Sequence, residues 1–170
     1  MCVQSQPSYS ANLVLQFKSE ENVSDQQLLT GMRPFLNLAT LCERYILEPD
    51  GGLTLFRIID RFTIVGTTPE MPIANITFNL VVGFRAGEMS GPLDITISVL
   101  SPDAQRIQEV TIPVIFEAPQ DRMVLSVGQM NLSLSQPGQY WIVIKLAEEE
   151  YTRIPLKVVY QRQPTVLSGG

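Results

Sequence analysis

Regular alternation of side chains near the C-terminus constrains the fold more than any other feature of this sequence. From Tyr140 to Leu146 every even-numbered residue is apolar, and an alternating pattern returns from Tyr151 to Tyr160 after three consecutive glutamates. Because successive side chains of a strand point to opposite faces, the pattern predicts two strands joined by a short turn. Pro155 cannot donate a ladder hydrogen bond, so we expect the second strand to be an edge or bulged there.

Six earlier segments show the same period and are separated by residues typical of turns. They are Phe35–Leu47, Leu53–Val65, Ile73–Ala86, Leu93–Leu100, Ile107–Phe116 and Met123–Leu134. Within them, Pro113 predicts an edge or a bulge, and Gly128 predicts a break in the ladder. No helical segment of ~10 residues lies between them, so the sequence predicts an all-β, antiparallel two-sheet β-sandwich of about eight strands, immunoglobulin-like in general architecture. The side chains predicted to form the core are Leu38, Phe56, Phe78, Ile95, Ile97, Ile142 and Ile144.

Composition excludes several functional classes. A chain of 170 residues with 45% apolar and 17% charged residues is typical of one compact domain. The net charge of −5 argues against a basic face for nucleic acid. No apolar run reaches the ~18 residues of a membrane span, and no secretory signal opens the chain. The two cysteines, Cys2 and Cys42, do not suggest a disulfide framework, so we expect a reducing, cytoplasmic setting.

Histidine is absent from the sequence, which removes the commonest catalytic and metal-binding side chain. Without it there is no Ser-His or Cys-His nucleophilic site and no histidine metal site. We therefore predict no catalytic residue, no metal and no cofactor, and a protein that is not an enzyme. Two carboxylates, Asp60 and Glu43, are the basis of a weaker alternative, an enzyme that works through acidic side chains.

Asp60 interrupts an apolar face of the segment Leu53–Val65, where its nearest same-face neighbours are Ile58 and Phe62. A carboxylate in that position requires a partner or solvent. Arg44 lies across the predicted hairpin, so we predict a structural ion pair between Asp60 and Arg44.

The two ends of the chain are predicted to lie outside the sandwich domain. Residues 1–31 are predicted to be an N-terminal extension, either placed before a natural start at Met32 or loosely attached to the domain. Within it, Asn12–Lys18 has the alternation of a strand. Residues 32–161 are predicted to form the sandwich domain, and residues 162–170 a flexible tail.

The run that begins at Leu41, LCERYILEPDGGLTLFRIIDRFTI, resembles the opening of a family of small bacterial proteins of unknown function. The closing run YWIVIKLAEEEYTRIPLKVV is similar to the last hairpin of that family. The resemblance covers roughly residues 33–160. It implies a sandwich and a bacterial cytoplasmic setting, and it offers no activity, ligand or catalytic residue to transfer.

Three hypotheses of function follow. The first is a non-enzymatic interaction or assembly module whose partner is a protein, either another copy or a different chain, bound through an edge strand. The second is a protein used through its C-terminal Gly169 and Gly170, as in ubiquitin-like conjugation, because glycine lets an extended tail enter a narrow channel. The third is the carboxylate enzyme built on Asp60 and Glu43.

Overall fold

The computed structural model describes residues 33–117 and 123–163, and these residues form nine β-strands. The strands are β1 (Phe35–Leu47), β2 (Leu53–Ile58), β3 (Arg61–Gly66), β4 (Ala74–Arg85), β5 (Gly91–Leu100), β6 (Arg106–Phe116), β7 (Met123–Leu134), β8 (Gly138–Leu146) and β9 (Glu149–Arg162). The part of the chain described here contains no helix that could span a membrane.

The strands form a four-stranded sheet of order β2-β1-β4-β7 and a five-stranded sheet of order β3-β9-β8-β5-β6. Neighbouring strands are antiparallel with the exception of β3 and β9, which run parallel. The predicted all-β sandwich of two sheets is confirmed. The predicted closing hairpin is also confirmed as β8 and β9, with Ile144 opposite Thr152.

The predicted second strand is in fact two strands, which belong to different sheets. The chain leaves the four-stranded sheet after Ile58 and enters the other sheet at Arg61. Two backbone hydrogen bonds secure this crossing. The N–H of Ile59 donates to the carbonyl of Leu41 at 2.8 Å, and the N–H of Lys157 donates to the carbonyl of Asp60 at 2.9 Å. The sequence could not show this step, because the residues on both sides of it have the same period of two.

The core lies between the two sheets, and five of the seven side chains predicted for it are buried there. They are Phe78, Ile95, Ile97, Ile142 and Ile144, all at 3% exposure or less. The predictions for Leu38 and Phe56 were wrong. A bulge between Leu36 and Leu38 shifts the register of β1, and Leu38 lies half-buried outside the core cluster. Phe56 is 37% exposed and its ring lies under the guanidinium of Arg44.

The positions of the strand-disrupting residues agree only in part with expectation. β3 pairs with β9 from Lys157 onwards, so β9 has no described neighbour on that side at Pro155 and is an edge there, as predicted. Pro113 lies on the edge strand β6, as predicted. Gly128 does not break its ladder. It pairs with Leu80 within an uninterrupted register between β4 and β7.

Candidate interaction edge

Three of the four sheet edges carry features that hinder pairing with another chain. β2 and β3 are only six residues long, and each contains an arginine. β6 carries Arg106, Glu109 and Pro113. Short edges, charged side chains and proline are the devices by which proteins prevent edge-to-edge association.

The fourth edge, β7, has none of these protections. Its twelve residues, MVLSVGQMNLSL, include no charged side chain and no proline. One side of β7 pairs with β4 from Met123 to Leu134, and no strand among the described residues pairs with the other side. A long, uncharged edge of this kind offers a row of backbone N–H and C=O groups to an incoming strand.

The sandwich opens between β7 and β6, the two edges that lie on the same side of the molecule. On β6, the side chains that face the other sheet become more exposed from the C-terminal end of the strand towards its middle. Phe116 is 1% exposed, Val114 8% and Val110 36%. Val110 pairs with Ile97 of the core, so its side chain faces the interior of the sandwich. Its exposure shows that the four-stranded sheet does not cover this part of the five-stranded sheet.

A pocket of about 150 Å³ occupies this opening. Its apolar lining comes from four strands and consists of Leu80, Ile97, Val110, Ile112 and Met130. The pocket is open because two of the β7 residues that line it, Ser126 and Gly128, have a small side chain or none. A Cβ atom added at Gly128 would have no heavy atom within 4 Å. A cavity of this size holds a benzene-sized group, so the pocket suits one large apolar side chain.

The neighbouring edge β6 keeps its charges fixed on its outer face. The hydroxyl of Ser98 donates to Oε2 of Glu109 at 2.6 Å, and Nη1 of Arg106 donates to the same oxygen at 2.8 Å. The hydrogen bond from Ser98, followed by the attraction of Arg106, lowers the pKa of Glu109. Glu109 therefore keeps its negative charge on this edge, which leaves β7 as the uncharged edge of the opening.

The structure does not bring together the two residues predicted to form an ion pair. Asp60 lies exposed in the crossing between β2 and β3, outside both strands, so its predicted place on an apolar strand face was wrong. Arg44 lies 5.2 Å from the centre of the Phe56 ring. Ion pairs that the structure does form include Arg33–Glu149, Arg57–Glu43, Arg106–Glu109 and Arg153–Glu150.

Glu43 and Asp60, the carboxylates of the alternative enzyme hypothesis, do line one cleft at this crossing. The cleft has a volume of about 570 Å³ and is also lined by Arg57, Arg61 and Thr77. Both carboxylates are exposed, and Glu43 is engaged at 3.0 Å by Arg57. The described residues contain no group of acidic or cysteine side chains that could hold a metal ion. The cleft thus presents solvated, partly paired charges rather than an acid and a base held in a closed site.

The remaining predicted residues fall elsewhere. Gly169 and Gly170 lie outside the described residues, and so does the predicted strand Asn12–Lys18. Cys42 is buried, and desolvation raises the pKa of its thiol, which favours the neutral and unreactive form.

Sequence reasoning did not identify β7 as the candidate interaction edge. Its signal was present, because Met123–Leu134 is a long predicted strand with no charge and no proline. What the sequence did not reveal was that this strand lies at the end of its sheet.

The fold and the site together define a β-sandwich of general immunoglobulin-like architecture with one unprotected edge beside an opening between its sheets. Residues 37–159 match the model of a family of unknown function, DUF6941, and the chain belongs to that family. This confirms the resemblance to an uncharacterised family. The comparison with curated proteins gives no match.

Solved structures with a similar arrangement share little sequence with the chain. The CARDB domain of a Pyrococcus furiosus protein, solved in complex with di-metal ions, is 12% identical, with a TM-score of 0.39 over 74% of this chain and 90% of that one. An immunoglobulin-like protein from Pseudomonas aeruginosa is 10% identical, with a TM-score of 0.36 over 74% of this chain and 96% of that one. A β-glucosidase from Listeria innocua is 7% identical, with a TM-score of 0.37 over 61% of this chain and 15% of that one.

Proposed function

We propose that this protein is a non-enzymatic interaction module that binds an extended segment of a partner protein along β7. The observation that supports the proposal is the contrast among the four edges. β7 is twelve residues long and uncharged, whereas the others are short or carry charges and proline. Addition of a strand to such an edge is a recurring mode of peptide recognition.

The backbone of β7 and the pocket beside Gly128 contribute to binding in different ways. The free backbone groups of β7 give affinity that does not depend on the partner's sequence. The pocket beside Gly128 gives specificity, because alternate side chains of an added strand point between the sheets. A partner with a large apolar side chain at that position buries it against Ile97 and Met130.

An inward-pointing charge on β7 tests this proposal. Gly128→Lys places an ammonium group at the pocket, and its side chain has room because nothing lies within 4 Å of the new Cβ. Inward-pointing charges on edge strands oppose the addition of another strand. Thr63→Lys is the matched control, since Thr63 is exposed on β3, an edge of the other sheet.

The measurement is affinity capture from cells of the source organism with the original chain and both variants, after circular dichroism has shown that each is folded. We expect at least one captured protein to be lost with Gly128→Lys and retained with Thr63→Lys. Calorimetry with that protein purified should then show at least tenfold weaker binding to Gly128→Lys. If the captured proteins are the same for all three chains, the edge β7 is not the binding surface.

A further inference from the structure

The open side of the sandwich has room for one more strand. The four-stranded sheet ends at β7, while β6 of the five-stranded sheet still presents Val110 and Ile112 towards the space beyond it. We propose that Asn12–Lys18 of this same chain pairs with β7 as a fifth strand of that sheet and fills the pocket beside Gly128.

The sequence of this segment fits the edge and the pocket. In NLVLQFK the odd-numbered residues Leu13, Leu15 and Phe17 are large and apolar, and three of the four even-numbered residues are polar. On a strand added to β7, one of these two sets faces β6 and the other faces solvent. One side chain of the apolar set fits the pocket of about 150 Å³, because Ser126 and Gly128 leave that space empty.

The length of the connecting chain allows this placement. Residues 19–32 link the segment to Arg33, and fourteen extended residues span up to about 46 Å. A strand beside β7 lies three strand spacings from β1, roughly 14 Å. The start of β1 is at the same end of the sheet as the start of β7, since Phe35 and Met123 both pair with Arg85. A connection that returns to this end makes the added strand antiparallel to β7.

Such a segment also regulates the proposed binding surface. When Asn12–Lys18 occupies β7, a partner strand has to displace it, so binding is weakened by the free energy of this internal pairing. This regulatory consequence rests on the proposed function. The docking of the segment does not, and it is tested without any partner.

Cysteine pairs in the full-length chain test the docking directly. All variants carry Cys2→Ser and Gly128→Cys. The test variants add Leu13→Cys, Leu15→Cys or Phe17→Cys, and the control variants add Val14→Cys or Gln16→Cys. A disulfide requires two Cβ atoms about 3.5–4.5 Å apart, which only residues on the same face of neighbouring strands provide. We expect an intramolecular disulfide, found by peptide mapping, for at least one odd-numbered position and for neither control.

Two results overturn the inference. One is the absence of an intramolecular disulfide at all three odd-numbered positions, and the other is equal yield at positions 14 and 16. A disulfide that links two molecules, seen as a doubled mass, assigns the edge to a second copy of the chain and also overturns it.

Hydrogen exchange gives an independent measurement on chains without new cysteines. Leu15→Asp should increase at least tenfold the exchange rates of the β7 backbone amides that point away from β4, because it releases the segment from the edge. Val14→Asp should leave those rates unchanged, because residue 14 faces solvent in the proposed strand. Equal rates in the original chain and in Leu15→Asp contradict the docking, even where Gly128→Lys still abolishes partner binding. The two proposals therefore fail separately.

Discussion

Ile144 lies at the centre of the core, so its truncation measures how well the sandwich is packed. The side chain is 0% exposed on β8, between β5 and β9, where its neighbours across the sheet are Ile97 and Thr152. Ile144→Ala removes three carbon groups, worth about 2.4 kcal/mol in transfer free energy alone. Neighbours that are held by strands on both sides cannot collapse into the space, so the cavity adds to the loss, and we expect a total of about 4 kcal/mol.

The matched control is Ile115→Ala, because Ile115 has the same side chain but is 66% exposed on the edge strand β6. We expect this change to cost less than about 1 kcal/mol. Urea denaturation monitored by circular dichroism gives both free energies of unfolding on the same scale. A loss below about 1.5 kcal/mol for Ile144→Ala, or equal losses for both variants, would refute the packing described here.

Three further predictions concern other parts of the molecule. Asp60→Asn should change the free energy of unfolding by less than about 0.5 kcal/mol, because Asp60 is exposed, and a larger loss in urea denaturation would restore the ion-pair hypothesis. Ser98→Ala should raise the pKa of Glu109 in an NMR titration. A carboxylate whose pKa is lowered by folding stabilises the protein above its unfolded-state pKa and loses this effect as the pH falls, so Ser98→Ala should reduce stability at pH 7 but not in strong acid. We also propose that residues 32–161 are the folding domain, so a chain that begins at Met32 should unfold cooperatively in urea, and a non-cooperative transition would contradict this.

The alternation of apolar residues was sufficient to predict the sheets, because burial on one face of a strand imposes a period of two wherever the strand lies. The closing hairpin and the core residues of β4, β5 and β8 follow from it, whereas the edge position of Pro113 follows from the missing backbone donor of proline. The prediction that Phe56 is buried was wrong because a period of two distinguishes the two faces of a strand but does not show which face is covered.

The tertiary structure alone decided which sheet each strand joins and which strands lie at the edges. Side chains alternate without a break from Leu53 to Val65, yet the chain crosses from one sheet to the other at Asp60. This crossing separates Asp60 from Arg44. The uncharged composition of β7 is visible in the sequence, but it marks a candidate interaction edge only because β7 ends its sheet beside an opening. Strand order is set by long-range pairing, and side-chain alternation within a segment contains no information about which distant segment lies beside it.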